Sequence, residues 1–498
     1  MSRTTRGAAF AAASCALLCA NASAATFVVD KTADDAGGGA CVTATPNDCS
    51  LRSAIQKANA DAVADDITLG AATYSVAADE APITNPVTLT GTGARSTAID
   101  GGGVAQSLID VDVSGVVSVS DLTVRGLAPG AFVGAVHVGN AAPLTLSRVA
   151  LVDNAGSGLA TNGGTVLLLS SLVARNTAPA AAGVVAGGSN GFLTIRDSTI
   201  TQNTALPSAP DQPLALSGGL VNVGATSVSN STIAGNRIAP EASALGGDNV
   251  VNIDVSGGGS TLVLLRIANS IVADAGVDGN CGGPIQTAGH NLDSDATCGF
   301  TATNDLPGVD PLLAALADNG GPTDTRALPA NSPAVDAGAG CGATDQRGVA
   351  RPAGGACDIG AFESPFTAAV PAPPVPPTTP PVTTPAADTT PASLTVTGIK
   401  KTVTRKAFNK GLKVKIGANE PVAAELVLLA SPRKVTIAKL LNLVLATKSL
   451  PRAGGTRTVT LKPSPKVKGK RKVSVQLRVV AFDAAGNRSA KTVSFNVK

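Results

Sequence analysis

The residues of this chain whose types could do chemistry are few: two imidazoles, His137 and His290, and two adjacent aspartate pairs, Asp34–Asp35 and Asp65–Asp66. An imidazole can move a proton near neutral pH, and paired carboxylates beside backbone carbonyls could hold Ca²⁺. Each also has a structural reading. His137 alternates with Val136 and Val138, which places it alone on the outer face of a strand, and His290, in AGHNLD, reads as the hydrogen-bonding residue of a turn. Neither aspartate pair has the graded ligand spacing of a calcium loop, so both read as solvated surface acid. No catalytic residue, metal site or cofactor is assigned, with Ca²⁺ the one ion left open.

Cysteine and lysine supply the remaining chemistry. Cys15 and Cys19 lie in MSRTTRGAAFAAASCALLCANASAA, which has the form of a secretion signal over residues 1–24. Arg3 and Arg6 precede an apolar run from about Ala8 to Ala20, and Ala22-Ser23-Ala24 is the cleavage signal. The other cysteines fall into local couples, Cys41 with Cys49, Cys281 with Cys298 and Cys341 with Cys357, the simplest disulfide pairing for a secreted chain. Zinc is the rival reading, but the spacings lack a CxxC. Near the C-terminus, KPSPKVKGKRK (462–472) gathers Lys462, Lys466, Lys468, Lys470, Arg471 and Lys472 in what reads as an exposed hairpin connection. Such a cluster is a candidate site for an anionic envelope polymer. Folding back on an acidic part of the chain, or plain solubility, stay open as alternatives. Without interleaved aromatics, no nucleic-acid partner is expected.

The elements that would position these residues announce themselves as a repeat. LTLSRVALVDN (144–154), VLLLSSLVARN (166–176), LTIRDSTITQN (193–203), TSVSNSTIAGN (226–236) and LLRIANSIVAD (264–274) end at Asn154, Asn176, Asn203, Asn236 and Asp274, which lie 22, 27, 33 and 38 residues apart. A constant strand with loops of varying length is the mark of stacked coils. A second strand precedes each, in GAVHVGN, GLATNGG, GVVAGGS and GLVNVGA, with Gly at the corners, so the spacing predicts two short strands per coil of a parallel β-helix. The recurrent Asn can adopt left-handed geometry and stack its amide on the next coil, making Asn154, Asn176, Asn203 and Asn236 a structural ladder.

Composition agrees: 55 Gly, 2% aromatic residues and no Trp in 498 residues do not suit a long helical domain. Charge divides the chain. Residues 25–387 carry 13 Lys and Arg against 31 Asp and Glu, whereas 388–498 carry 23 against 4, so a basic unit follows an acidic body. Between them PFTAAVPAPPVPPTTPPVTTPAADTTP (365–391) reads as a semi-rigid polyproline II spacer. Alternating stretches such as LKVKIG, RTVTLK and KTVSFNVK make 392–498 a β-sandwich. No apolar run after the signal is long enough for a membrane span.

Resemblance to known families enters at three places. The end of the chain, VVAFDAAGNRSAKTVSF, resembles bacterial immunoglobulin-like or fibronectin-type modules, with Asp483, Gly486 and Asn487 forming the late turn. CSLRSAIQKANA (49–60) resembles the CSLREA motif of secreted β-helix proteins, with Ser53 in place of the usual Glu; Leu51, Ala54, Ile55 and Ala58 then make one apolar face of a helix that caps the solenoid over 25–65. GHNLDSDATCGF (289–300), DPLLAALADNGGPTDTRALPANSPAVDAG (310–338) and DQRGVARPAGGACDIGAFE (345–363) resemble the choice-of-anchor Q domain, which implies closing coils over 281–364 after repeats over 66–280. Within it, Asp345, Arg347, Arg351, Asp358 and Glu363 are expected to form a structural charge network.

These readings converge on an all-β protein, a right-handed parallel β-helix with an N-terminal capping helix and a C-terminal sandwich. It is expected to be extracellular or at the cell surface, monomeric and non-enzymatic, with an adhesive or envelope-structural role and an envelope polysaccharide or other anionic polymer as partner. The alternative is a polysaccharide lyase or glycoside hydrolase of the pectate-lyase-like β-helix class. Glycoside hydrolysis needs paired carboxylates and usually sugar-stacking aromatics, yet Tyr74 is the sole tyrosine and no lysine lies between Lys57 and Lys400.

Overall fold

The computed structural model describes residues 23–367, apart from 36–37, 43, 61, 81, 130–133, 140–141, 189–190, 209–213, 245 and 254–263, and then 392–431, 444–463, 473–482 and 488–498. The repeats form a solenoid with three faces. The first is a ten-stranded sheet from Thr26–Val29 to Gln286–Thr287, the second a ten-stranded sheet from Thr73–Ser75 to Leu306–Pro307, and the third a seven-stranded sheet from Ile109–Val111 to Cys281–Gly282. Neighbouring coils pair in parallel, as where Leu144 meets Val166 and Val166 meets Leu193. Parallel crossovers take the right-handed sense, which assigns a right-handed parallel β-helix.

Three faces replace the two strands per coil expected from the sequence, because each repeat is itself two strands. LTIRDSTITQN contributes to Phe192–Arg196 and supplies Thr199–Thr201, with Asp197 between them at φ 50°. Arg148, Ser170, Asn230 and Asn269 hold the same corner in other coils, each with φ between 47° and 54°. Asn and Asp enter this left-handed region most readily. On either side of the corner the alternation of a strand puts Leu193, Ile195 and Ile200 inside, where they are fully buried with their counterparts Val166, Leu168 and Val173.

At the N-terminal end, the helix Leu51–Ala58 starts at Ser50, whose side chain accepts from the Ser53 amide. Leu51, Ala54, Ile55 and Ala58 are buried in one cluster with Ile67, Leu69, Val87 and Leu89 of the first coils. Ser53 is buried too, and its hydroxyl accepts from Gly39 N at 3.0 Å; a glutamate would not fit that pocket without displacing the loop.

The segment expected to add closing coils does so only at its start. Strands Gln286–Thr287, Leu292–Asp293 and Leu306–Pro307 continue the sheets, after which the chain turns back and runs along the outside of the second face. Leu328, Ala334, Val335, Ile359 and Phe362 pack on Ala234, Ile271, Ala273 and Leu292. Farther along, Leu316 packs among Ala150, Val152, Leu172 and Ala174, and Arg95 reaches Asp318 and Asp324, both at 2.8 Å. Residues 311–364 are therefore a strap, and it buries outward-facing side chains that a bare coil would leave in water.

The C-terminal unit is an antiparallel sheet consistent with a β-sandwich. The strand Leu412–Ser431 lies between Leu394–Thr397, Val444–Leu461 and Val473–Phe482, Arg488–Val497 follows, and the short strand Thr402–Val403 pairs parallel to it at the far edge. Register shifts near Ala418 and Val422 let this long strand bend. Val414, Ile416, Leu426, Leu477 and Phe495 fill the core with Phe408, which comes from a short helix, Arg405–Lys410, that the sequence reading did not expect.

Candidate functional site

Inside the solenoid the repeat asparagines meet. The side-chain amide of Asn154 donates to Asn176 Oδ1 at 2.9 Å, Asn176 to Asn203 at 2.9 Å and Asn203 to Asn236 at 2.8 Å. The row continues through Asn249 and Asn280, each step 2.8 Å, and ends on Asp293 Oδ1 at 2.7 Å. The Oδ1 atoms of Asn176, Asn203, Asn236 and Asn249 also accept the backbone N–H of the preceding rung, as Asn203 does from Asn176 N at 3.0 Å. The left-handed geometry expected of these asparagines falls one residue earlier, on Asp153, Arg175, Gln202 and Gly235. Asp274, φ 56°, pairs into that earlier column, so it is not a rung. The glycines opening the third-face strands are needed for room: a Cβ at Gly158 would lie 3.0 Å from Asn176 Nδ2, and one at Gly219 2.9 Å from Asn236 Nδ2.

A second row at the first corner escaped the sequence reading. Ser171 N donates to Ser198 Oγ, Ser198 N to Ser231 Oγ and Ser231 N to Ser270 Oγ, at 3.1–3.2 Å. The signal was present as a Ser five residues before Asn176, Asn203 and Asn236.

The strap closes over a buried charge cluster. The fully buried Arg351 donates to Glu363 Oε2 at 3.3 Å and to the carbonyls of Asp358 and Gly360. Glu363 in turn accepts from Asp358 N and Ala353 N. Arg347 pairs with Asp345 at 2.6 Å and lies 3.6 Å over the Phe362 ring. Burial, with the neighbouring Glu363, pushes Asp358 up to about 6, and burial, with the neighbouring Asp295, pushes Asp293 up to about 7. A carboxyl raised by folding stabilises the native state while protonated. Between its ordinary value of about 4 and its folded value, the native chain holds the extra proton, so stability falls as pH rises through that window. We expect the melting temperature to decline from about pH 4 to about pH 7 at fixed ionic strength, read by calorimetry, and a rise across that range would contradict the assignment.

His137 is not alone on its strand. Its Nδ1 lies 2.8 Å from Asp110 Oδ1 and its Nε2 3.1 Å from Asn162 Nδ2, the partners coming from the coils on either side. Both ring nitrogens are engaged, so the imidazole has none to offer a substrate. His290, at φ 55°, holds Ala337 O of the strap through Nδ1 at 2.8 Å, in keeping with a turn hydrogen-bonder. Asp34 takes both Arg52 Nε and Nη2, and although burial pushes its carboxyl up, Arg52 together with the Ala77 and Asp35 amides holds it low. Asp35 meets Lys31 at 2.8 Å, Asp65 Oδ1 accepts from Ala25 N, and Asp66 is exposed. Three disulfides join Cys41 to Cys49, Cys281 to Cys298 and Cys341 to Cys357.

On the C-terminal unit, Lys413 and Lys415 alternate with buried Val414 and Ile416 and face outward opposite Thr460 and Thr458. Lys410 and Lys462 are exposed beside the same strand ends. Lys466, Lys468, Lys470, Arg471 and Lys472 lie outside the described residues, as do Asp483, Gly486 and Asn487, the spacer over 368–391 and residues 1–22 of the signal. Lys413 and Lys415 were missed because they sit within an ordinary strand pattern, not in a charge run. Among the described residues no helix is long and apolar enough to cross a membrane.

No protein-family model matches the chain, and no curated protein matches it. Among solved structures, a crystal structure of pectate lyase Pel9A aligns over 69% of this chain and 97% of its own length, with 15% identity and a TM-score of 0.35. An overlap that loose has no bearing on activity.

Proposed function

We propose that this chain is an exported, cell-surface-associated β-helix protein with an adhesive or envelope-structural role and no catalysis, held through its basic C-terminal unit to an anionic envelope polymer. The observation that carries the reading is the outward pair Lys413 and Lys415 on the sheet, with exposed Lys462 just past the end of the neighbouring strand, in a unit with 23 Lys and Arg against 4 Asp and Glu. The secretion-type start and the disulfides support export, and the likeness of 49–60 and 289–363 to the CSLREA and choice-of-anchor Q patterns supports a surface protein. The immunoglobulin-like character of 392–498 belongs to the same proposal.

Fractionation of expressing cells tests it. The full chain is expected to sediment with envelopes at low salt and to be released at about 1 M salt, where screening shortens the reach of charge to about 3 Å. Recovery in the soluble fraction at low salt would overturn the reading.

A further inference from the structure

Two faces of the solenoid are covered by the chain itself. The strap lies on the second face, and on the third Ala160, Val185, Val221 and Val251 pack against Ala180, Ala181, Leu214 and Leu216. The first face has no such cover among the described residues. Its outward positions stand in register across the coils: Ser118, Thr145, Thr194 and Ser227 share one column, with Leu167 between Thr145 and Thr194, and Ser147 and Ser229 belong to a second. Adjacent strands are about 4.8 Å apart and alternate outward residues about 7 Å apart, so the hydroxyls make a lattice interrupted by the outward Leu167 and Leu169.

The charge of this face differs from that of the body around it. From Val87 to Ala268 none of its strands contains Asp or Glu, although residues 87–268 hold ten acidic residues against seven basic ones. Arg196 and Arg266 project from it, the first 3.3 Å from Asp197 and half exposed, the second exposed. Phe192, 43% exposed, stands at the start of the Arg196 strand and offers an apolar surface for the face of a sugar ring.

We infer that the first face holds an extended acidic polysaccharide laid across the strands, its hydroxyls on the Ser and Thr columns, a ring against Phe192 and its acid groups at Arg196 and Arg266. This rests on the reading of the protein as an envelope adhesin and names the partner of its solenoid.

Binding of the full chain to alginate, dextran sulfate and neutral dextran, by affinity electrophoresis, tests the inference. Retardation by alginate or dextran sulfate but not by dextran is expected, the two acidic polymers separating carboxylate from sulfate recognition. The R196A/R266A double variant should weaken binding about tenfold, and F192A, measured separately, should weaken it for neutral reasons that salt does not reproduce. These side chains point outward, and an unchanged circular-dichroism melt verifies the fold. Unaltered binding by both variants, with binding lost in K413E/K415E/K462E, overturns the inference while leaving the envelope reading standing. Absence of retardation by either acidic polymer overturns it too, whereas failure of the wild-type chain to sediment with envelopes is what would remove the underlying reading.

Discussion

Asn203→Ala is expected to remove about 3–5 kcal/mol from the solenoid, among the largest losses available to a single substitution here. Asn203 is fully buried, donates to Val173 O at 3.0 Å and Asn236 Oδ1 at 2.8 Å, and accepts from both the backbone N and the side-chain amide of Asn176. Truncation leaves two donors on Asn176 without their acceptor in a buried site. Asn203→Asp keeps the acceptor but puts a charge where an amide must donate, and it should cost as much. Because coils contact only their neighbours, the loss should be local. Hydrogen exchange should quicken around Asn176, Asn203 and Asn236 and stay unchanged in the C-terminal unit. A loss below about 1 kcal/mol by denaturant unfolding would mean that the row is decorative.

The second large effect concerns the strap. Arg351→Met is expected to cost about 3–5 kcal/mol, since it leaves Glu363 charged and unpaired in a dry cluster. The strap contains little regular structure of its own, a two-residue hairpin pairing Leu316–Ala317 with Thr325–Arg326, so its seat depends on this cluster and on Phe362, Leu328 and Leu316. Limited proteolysis should then cut within 311–364 while the coils resist. The pair itself is not indispensable: Arg351 Nε has no partner, and Arg351→Met with Glu363→Leu should recover most of the loss, as apolar replacement of a buried ion pair often does. Equal sensitivity of the double variant and Arg351→Met would show that the charges hold the strap by more than mutual neutralisation.

What the sequence disclosed follows from what repeats. Inward Leu193 and Ile195 alternate with polar residues, and Asn recurs at one place, so a β-helix and its amide row were legible from 144–236. The division of each repeat between the first and second faces was not, because the corner that creates it is a single residue, Asp197 or Arg148 or Ser170, whose identity varies while its backbone geometry does not. The strap was hidden for a different reason. Its signal lies in the coils it covers: Ala150–Val152, Leu172–Ala174 and Ile271–Ala273 are apolar at every position, where a strand with one wet face would alternate. Asn249 and Asn280 escaped because Asn236 is the last rung in the repeat register; Ala275 follows it one coil on, and the row passes to a column that opens third-face strands. His137 could not be paired in advance, since Asp110 and Asn162 lie 27 and 25 residues away across loops of variable length.

The central claim is that the basic C-terminal unit, not the acidic solenoid, fixes the protein to the envelope. The most direct measurement is sedimentation of the full chain with isolated envelopes across a salt series, wild type beside K413E/K415E/K462E. Electrostatic attachment predicts that wild-type binding falls steadily with salt and that the variant binds several-fold more weakly at low salt, the two converging near about 1 M. Binding of the variant equal to wild type at every salt concentration would contradict the account.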